Sequence, residues 1–143
     1  MTEGTDTTAR RPWGTETLPD PHVWRTLGYR NAGWEAGRAV IEWDATEEYS
    51  FQWGDGRVIH GGMVATLLDT AMGGACWTVM GADEHFLTGD LRAEFFRSAR
   101  PGLLRAEGRV VHRSKRVVFC AAELTDADGT AIAGARCTQV VIA

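Results

Sequence analysis

Residues 58–75 read VIHGGMVATLLDTAMGGA, and the apolar run extends from 61 to 82 with Asp69 as its single charged residue. Successive helical residues are about 100° apart, so the large apolar side chains gather on one stripe. The run lacks an uninterrupted stretch of about 18 apolar residues, and a mid-span acid is costly in a membrane. The pattern therefore predicts a long buried helix, whose sheet-facing stripe is Met63, Val64, Leu67, Leu68, Ala71, Ala75 and Val79.

The segments around this helix have the period of strands and tight turns. The predicted elements are a short helix over 19–27, a strand over 38–43, a loop over 46–57, and strands over 87–95, 103–112, 116–124 and 131–142. In the first strand after the helix, alternation places Leu87, Leu91 and Phe95 on one face and Thr88 and Arg92 on the other.

One long helix followed by four tightly connected strands favours an α+β fold, in which an antiparallel sheet wraps the helix. Such a sheet has exposed edges, and a single long helix cannot cover them. We therefore expect subunits to pair through the sheet.

The composition is that of one ordinary globular domain, with 143 residues, 44% of them hydrophobic and 24% charged. We predict a disordered lead-in over 1–17 and the domain over 18–143. The net charge of -4 disfavours nucleic-acid binding and attraction to an anionic membrane surface. The start lacks the apolar run of a secretory signal, and Cys76, Cys120 and Cys137 suit buried free thiols. A cytoplasmic location is expected.

Asp69 is isolated on the helix face opposite the apolar stripe. Its neighbours there are small residues such as Ala65 and Gly73, rather than the lysines and glutamates of a solvated face. A buried carboxylate is costly unless it is hydrogen-bonded or paired. Two interpretations stay open: a structural aspartate bonded to Thr66, Thr70 or another chain, or a reactive acid.

The helix entry His60-Gly61-Gly62 suits an oxyanion site, although a flexible helix entry has the same pattern. Glycines let a ligand approach the backbone, and unpaired amides at the positive end of a helix dipole stabilise negative charge. Gly62 and Asp69 are separated by about 10 Å along the helix axis, so one carbonyl group cannot reach both. If both serve one reaction, they come from two subunits.

With these features, the sequence resembles the hotdog-fold thioesterases of the phenylacetic-acid-degradation type. The resemblance rests on residues 58–75, on FLTGDLRAEFFRSARPG at 86–102 and on the terminal strands, and it covers about residues 18–142. It implies a hotdog fold, with one central helix wrapped by an antiparallel sheet through which the subunits dimerise. It also implies a homodimer or homotetramer that hydrolyses a small or aromatic acyl-coenzyme A.

In such enzymes, the residue that matches Asp69 is a nucleophile or a general base, and the amide that matches Gly62 polarises the thioester carbonyl. His60 matches a histidine that shapes the loop and the subunit contact beside Gly61. Thr88 matches a serine or threonine that orients the nucleophilic water, although an ordinary strand threonine explains it equally well.

The resemblance also implies substrate contacts away from the helix. Many members carry Asn or Gln six residues before the histidine, where this chain has Gly54, so Gln52 or Asp55 is expected to substitute. The basic turn at 113–115 suits the phosphates of coenzyme A, and aromatic residues suit an acyl pocket. The predicted substrate-binding residues are Gln52, Trp53, Asp55, Met63, Arg113, Ser114 and Lys115.

Neither a metal nor a separate cofactor is predicted, because the sequence has no metal-ligand spacing and coenzyme A belongs to the substrate. The motif GxSxG, a phosphate loop and a dinucleotide fingerprint are absent from the sequence. Two alternatives remain: a hydratase or dehydratase of the same fold, and a protein that binds an acyl thioester without cleaving it.

Overall fold

This computed structural model describes residues 9–15 and 18–142, and within them the chain forms two α-helices and eight strands. A single 3₁₀ turn, Glu47–Tyr49, follows the second strand. The elements are α1 (His22–Leu27), β1 (Tyr29–Glu35), β2 (Arg38–Ala45), β3 (Ser50–Trp53), β4 (Gly56–Ile59), α2 (Gly61–Thr78), β5 (His85–Phe95), β6 (Gly102–Arg113), β7 (Val117–Asp126) and β8 (Ala131–Ile142).

Six strands form one antiparallel sheet in the order β1-β2-β6-β7-β8-β5, and β3 pairs with β4 in a separate hairpin. The long helix α2 packs on this sheet, which confirms the α+β class and the single long helix. The four strands predicted after the helix are confirmed, as is the short helix that ends at Leu27. Among the described residues, no helix is long and apolar enough to cross a membrane.

The core lies between α2 and the sheet. Val64, Leu67, Leu68, Ala71 and Ala75 are buried as predicted, and Met63 and Val79 pack at its margin. Burying a leucine side chain stabilises the fold by roughly 2 kcal/mol relative to leaving it in water. The apolar stripe therefore fixes which side of α2 faces the sheet.

The helix approaches the sheet so closely that Gly108 on β6 tolerates no side chain. A Cβ atom at Gly108 would overlap the carbonyl group of Ala71. One turn further along the helix, a Cβ at Gly74 would lie 3.0 Å from the Cβ of Ala39 on β2. Small residues thus bring the helix backbone against the middle of the sheet.

The predicted loop over 46–57 is wrong, because it contains the β3–β4 hairpin. Trp53 pairs with Gly56, and the two residues between them turn the chain. Gly54 has a φ of 59°, which suits the first central position of a two-residue hairpin turn. The strand β1 was also missed, because its register against β2 shifts between Asn31 and Gly33 and this irregularity interrupts the alternation.

The predicted faces of the first strand after the helix are also wrong in part. The register of β5 against β8 shifts between Thr88 and Asp90, where Gly89 forms a bulge. Leu87 is therefore 65% exposed on the outer side, whereas Thr88 points toward α2. Beyond the bulge, Leu91 packs against the core as predicted.

Part of the predicted disordered lead-in packs against the C-terminal end of α2. The Arg10 guanidinium lies 3.6 Å from the centre of the Trp77 ring, and the Trp13 ring packs against the same ring at a tilt of 38°, with centroids 4.4 Å apart. The Trp77 indole N–H donates to the Arg11 carbonyl at 2.6 Å. Residues 9–15 therefore belong to the folded body, while the rest of the lead-in, 1–8 and 16–17, lies outside the described residues.

Candidate active site

The entry of α2 is built around His60, which is the N-cap residue. The Nδ1 atom of its ring accepts a hydrogen bond from the Gly62 N–H at 2.9 Å. Its own backbone N–H donates to the Tyr49 carbonyl, and its carbonyl accepts from the Met63 N–H. The ring therefore caps the helix. A neutral imidazole ring that accepts at Nδ1 carries its proton on Nε2.

This cap engages the amide that the sequence predicted as the oxyanion donor. Sequence analysis expected a free Gly62 amide, but His60 already engages that N–H. Gly61 is an exposed residue, and its N–H has no hydrogen-bond partner among the described residues. Gly61 therefore presents the unpaired amide at the positive end of the helix.

Asp69 lies two turns further along α2 and is partly buried. Its Oδ1 atom accepts a hydrogen bond from the Thr88 hydroxyl at 3.0 Å. The alternative partners are engaged elsewhere, because Thr66 donates to the Gly62 carbonyl and Thr70 to the Thr66 carbonyl. Within the described part of the chain, Oδ2 of Asp69 has no hydrogen-bond partner, so one oxygen is available for chemistry.

Thr88 joins Asp69 to a buried glutamine that the sequence analysis missed. The Thr88 hydroxyl lies 3.0 Å from the side-chain oxygen of Gln139, which is fully buried on β8. A glutamine on an inward-facing row that is otherwise apolar, with Ala133, Ala135 and Cys137, was the available signal. Its partner could not be read from the sequence, because β5 and β8 are joined only in the sheet.

An apolar groove of about 420 Å³ runs beside the helix entry. It lies between α2, the β3–β4 hairpin and the end of β5, and its walls include Phe51, Gly61, Val64, Phe95 and Phe96. The Phe95 ring comes within 3.8 Å of the position that a Cβ at Gly61 would occupy. The groove therefore places aromatic surface directly at the unpaired amide.

The profile of the family described as Thioesterase superfamily matches residues 56–133, which is more than half of the chain. This chain belongs to the thioesterase superfamily. A sequence relative agrees: a Saccharolobus solfataricus protein named as a candidate esterase is 31% identical over 107 residues, covering 75% of this chain and 74% of that protein. Thioester hydrolysis is thus the reaction class of this chain.

Solved structures place the thioesterase in the same fold. A Ralstonia eutropha protein, named as a candidate thioesterase related to phenylacetic acid degradation, is 28% identical with a TM-score of 0.78 and covers 87% of this chain and 93% of its own. A Silicibacter pomeroyi thioesterase family protein is 26% identical with a TM-score of 0.79, covering 85% and 90%. The predicted resemblance to the phenylacetic-acid-degradation type is confirmed.

The predicted contacts on the β3–β4 hairpin of the thioesterase point into solvent in a single chain. Trp53 is 67% exposed, and Asp55 is exposed at the turn. The Gln52 side chain donates to the Gly54 carbonyl at 2.8 Å. No hydrogen bond joins these side chains to Asp69 within the described residues, so the hairpin is not assembled with the acid inside one subunit.

The predicted phosphate-binding turn of the thioesterase is also partly committed to the fold. Both carboxylate oxygens of Glu84 accept from Arg113 at 2.8 Å, and Arg113 also donates to the Val79 carbonyl. The hydrogen bond from Arg113, followed by that from the Gly81 amide, lowers the pKa of Glu84 below its ordinary value. Arg113 therefore braces the segment after α2, and its role as a phosphate contact stays a prediction.

The other two residues of the turn differ from each other. The Ser114 hydroxyl bonds within the turn, to the backbone of Val117. Lys115 is exposed and has no hydrogen bond or ion pair among the described residues. Of the three predicted residues, Lys115 alone keeps a charge that is available to a ligand. No cluster of three His, Cys, Asp or Glu side chains suited to a metal occurs in the described ranges.

Proposed function

We propose that the protein hydrolyses a small or aromatic acyl-coenzyme A to the free acid and coenzyme A, and that its active site forms between two subunits. The observation that carries this proposal is that the Thr88 hydroxyl holds the Asp69 carboxylate by one of its two oxygens. The other oxygen is unengaged among the described residues. A carboxylate in this arrangement can remove a proton from water or attack a carbonyl carbon.

Either route yields the same products. In the first, Asp69 takes a proton from water, and the water oxygen bonds to the thioester carbon. The C–S bond then breaks, and the departing sulfur takes up the proton that Asp69 had accepted, which releases the thiol and restores the carboxylate. In the second, the carboxylate oxygen bonds to that carbon and expels the thiolate, and water hydrolyses the resulting anhydride. In both, the Gly61 N–H is the donor to the developing oxyanion, because His60 occupies the Gly62 N–H.

The edge strand β5 supports pairing of two copies. It ends the six-stranded sheet, and among the residues that the structure describes it has a strand neighbour only on the β8 side, so one row of its backbone groups is open to another strand. Thr88 at one end of β5 bonds to Asp69, and Phe95 at the other end lies beside Gly61. One strand therefore carries the contacts to both halves of the site.

Antiparallel pairing of two β5 strands would bring Asp69 of one subunit close to Gly61 of the other. A two-fold axis near Arg92 sets Thr88 of one copy opposite Phe95 of the other, once the bulge at Gly89 is counted as one position. Asp69 of one subunit then approaches Gly61 of its partner. This removes the difficulty that Gly61 and Asp69 are separated by about 12 Å along one helix. Whether two such dimers form a tetramer stays a prediction.

The substrate class is supported by the groove at Gly61. Its aromatic walls, Phe51, Phe95 and Phe96, favour a compact apolar or aromatic acyl group. Lys115 remains our proposed contact for a coenzyme A phosphate. We place the reaction in the cytoplasm, because all three cysteines are free and suit a reducing compartment.

The test is release of free thiol from short, medium and aromatic acyl-coenzyme A esters, with wild type beside Asp69→Asn. The substitution keeps the size and removes the basic oxygen, so we expect kcat to fall by roughly 10²–10⁴-fold while ligand binding persists. A protein that binds the esters but turns none over would be a binding protein instead. Full activity in Asp69→Asn would also overturn the proposal.

A further inference from the structure

Gln139 and Thr78 are the two polar residues that are fully buried among the described residues. Thr78 has a structural task, since its hydroxyl accepts from the Gly37 N–H and donates to the Ala75 carbonyl. The Gln139 side chain instead contacts the Thr88 hydroxyl at 3.0 Å and the Cys137 sulfur at 3.3 Å. A buried amide is costly unless it is hydrogen-bonded, so these contacts must explain it.

The contacts around Thr88 contain one donor too few. Its hydroxyl has one proton, yet it lies 3.0 Å from two oxygens, one on Asp69 and one on Gln139. Turning the Gln139 amide by 180° resolves the conflict. The turned group fills the same space, because the amide oxygen and NH₂ group are similar in size and exchange places. The amide N–H then donates to Thr88, and Thr88 donates its proton to Asp69.

The other end of the amide lies at Cys137, whose sulfur is 3.3 Å from the amide group. A hydrogen bond with Cys120, followed by burial, raises the pKa of the Cys137 thiol above its ordinary value, so this neighbour is a neutral thiol. After the turn, the amide oxygen faces this neutral sulfur and the amide N–H faces Thr88. The donors then run in one sense from Gln139 through Thr88 to Asp69.

We propose that Gln139 is a positioning residue, which acts through Thr88 to hold the Asp69 carboxylate with its second oxygen toward the substrate. Thr88 and Gln139 are direct partners in the β5–β8 ladder, next to the bulge at Gly89. Without the amide, the Thr88 hydroxyl would be held by its hydrogen bond to Asp69 alone. The buried amide fixes the Thr88 rotamer from the inner side, out of reach of water.

This inference rests on the proposed hydrolysis and concerns orientation alone, since Gln139 does not touch the substrate. Fixing Asp69 should affect the chemical step and leave the binding of the ester unchanged. A purely structural glutamine would change stability, or would change kcat and KM together. The split between kcat and KM therefore separates the two roles.

The experiment is a double-mutant cycle between Gln139→Met and Thr88→Val, with kcat and KM measured for an acyl-coenzyme A ester that wild type hydrolyses. Methionine keeps the side-chain volume and removes the amide. We expect Gln139→Met to lower kcat about tenfold with KM unchanged. The double variant should be no slower than Thr88→Val alone, because Gln139 acts through Thr88.

Thr78→Val is the matched control, because it also removes a fully buried hydrogen-bonding group, at the other end of α2. It should lower Tm and leave kcat at the wild-type value. If Gln139→Met does not fold, Gln139→Asn takes its place, since the shorter amide cannot reach Thr88.

A wild-type kcat in the substituted enzyme, or additive losses in the double variant, would overturn the role of Gln139. A wild-type protein that cleaves no thioester would instead overturn the proposed function.

Discussion

The two ends of α2 are finished in opposite ways. At the C-terminal end, Trp77 is covered by Arg10 and Trp13, and Arg113 bridges Glu84 and the last turn. At the N-terminal end, Gly61 has an unpaired amide and Phe95 is exposed. One end is closed by its own chain, whereas the other presents unpaired groups.

The difference teaches where function lies on this helix. A polar backbone group that the chain could cap, but leaves open, is suited to a ligand or a partner. The contacts at the closed end stabilise the fold. The open end lacks such contacts in part. Changes at the open end should therefore reduce catalysis, and changes at the closed end should reduce the free energy of unfolding.

The largest effect is expected from Gly61→Pro at the open end. Proline is favoured at the first helical position, and the φ of -55° and ψ of 132° at His60 suit a residue before proline. The substitution therefore removes the N–H with little change to the helix. Loss of an oxyanion donor should lower kcat by about 10²–10³-fold.

The matched variant Gly61→Ala keeps the N–H, and its Cβ would meet the Phe95 ring at an ordinary 3.8 Å. It should lose only a few-fold in rate. Equal losses in the two variants would show that the amide proton is not the group that matters.

At the closed end, Trp77→Ala should lower stability without slowing catalysis. It removes the tilted ring contact with Trp13, the contact with Arg10 and the hydrogen bond to the Arg11 carbonyl. We expect a loss of about 2 kcal/mol in chemical denaturation, less than for a fully buried tryptophan. Trp53→Ala is the control, because this exposed ring should contribute less than about 0.5 kcal/mol.

A smaller effect concerns the pH dependence of the brace at the closed end. The pKa of Glu84 is lowered, chiefly by its hydrogen bond from Arg113. A lowered carboxyl pKa contributes stability above the ordinary value of 4.5, and that contribution is lost as the pH falls through the folded value. The stability difference between wild type and Glu84→Gln should therefore be constant near neutral pH and shrink below 4.5.

Urea denaturation at several pH values measures this difference, which should also weaken in high salt because the pair is near the surface. A difference that grows on acidification would contradict the assignment of the brace to an ionised Glu84.

The sequence was sufficient for the parts of this fold that depend on local pattern. The stripe on α2, the isolation of Asp69 and the alternation of β6 to β8 are each contained in a short window of residues. These windows also carry the family resemblance, so the reaction class followed from them.

The remaining features depend on contacts between distant segments. The ring of His60 accepts a hydrogen bond from the Gly62 amide. Arg113, at the end of β6, pairs with Glu84, which lies before β5. Gln139 meets Thr88 only because β8 pairs with β5. The bulge at Gly89 reversed the predicted face of Leu87, since one extra residue shifts a period of two.

The central claim is that Asp69 and Gly61 of one active site belong to different subunits. The direct measurement is the activity of a hybrid dimer, purified by two affinity tags, in which one chain carries Asp69→Asn and the other Gly61→Pro. Across the interface, one site receives both lesions and the other neither, so the hybrid should have about half of the wild-type activity. If each site lay within one chain, both sites of the hybrid would be damaged, and activity no higher than that of the parent variants would contradict the claim.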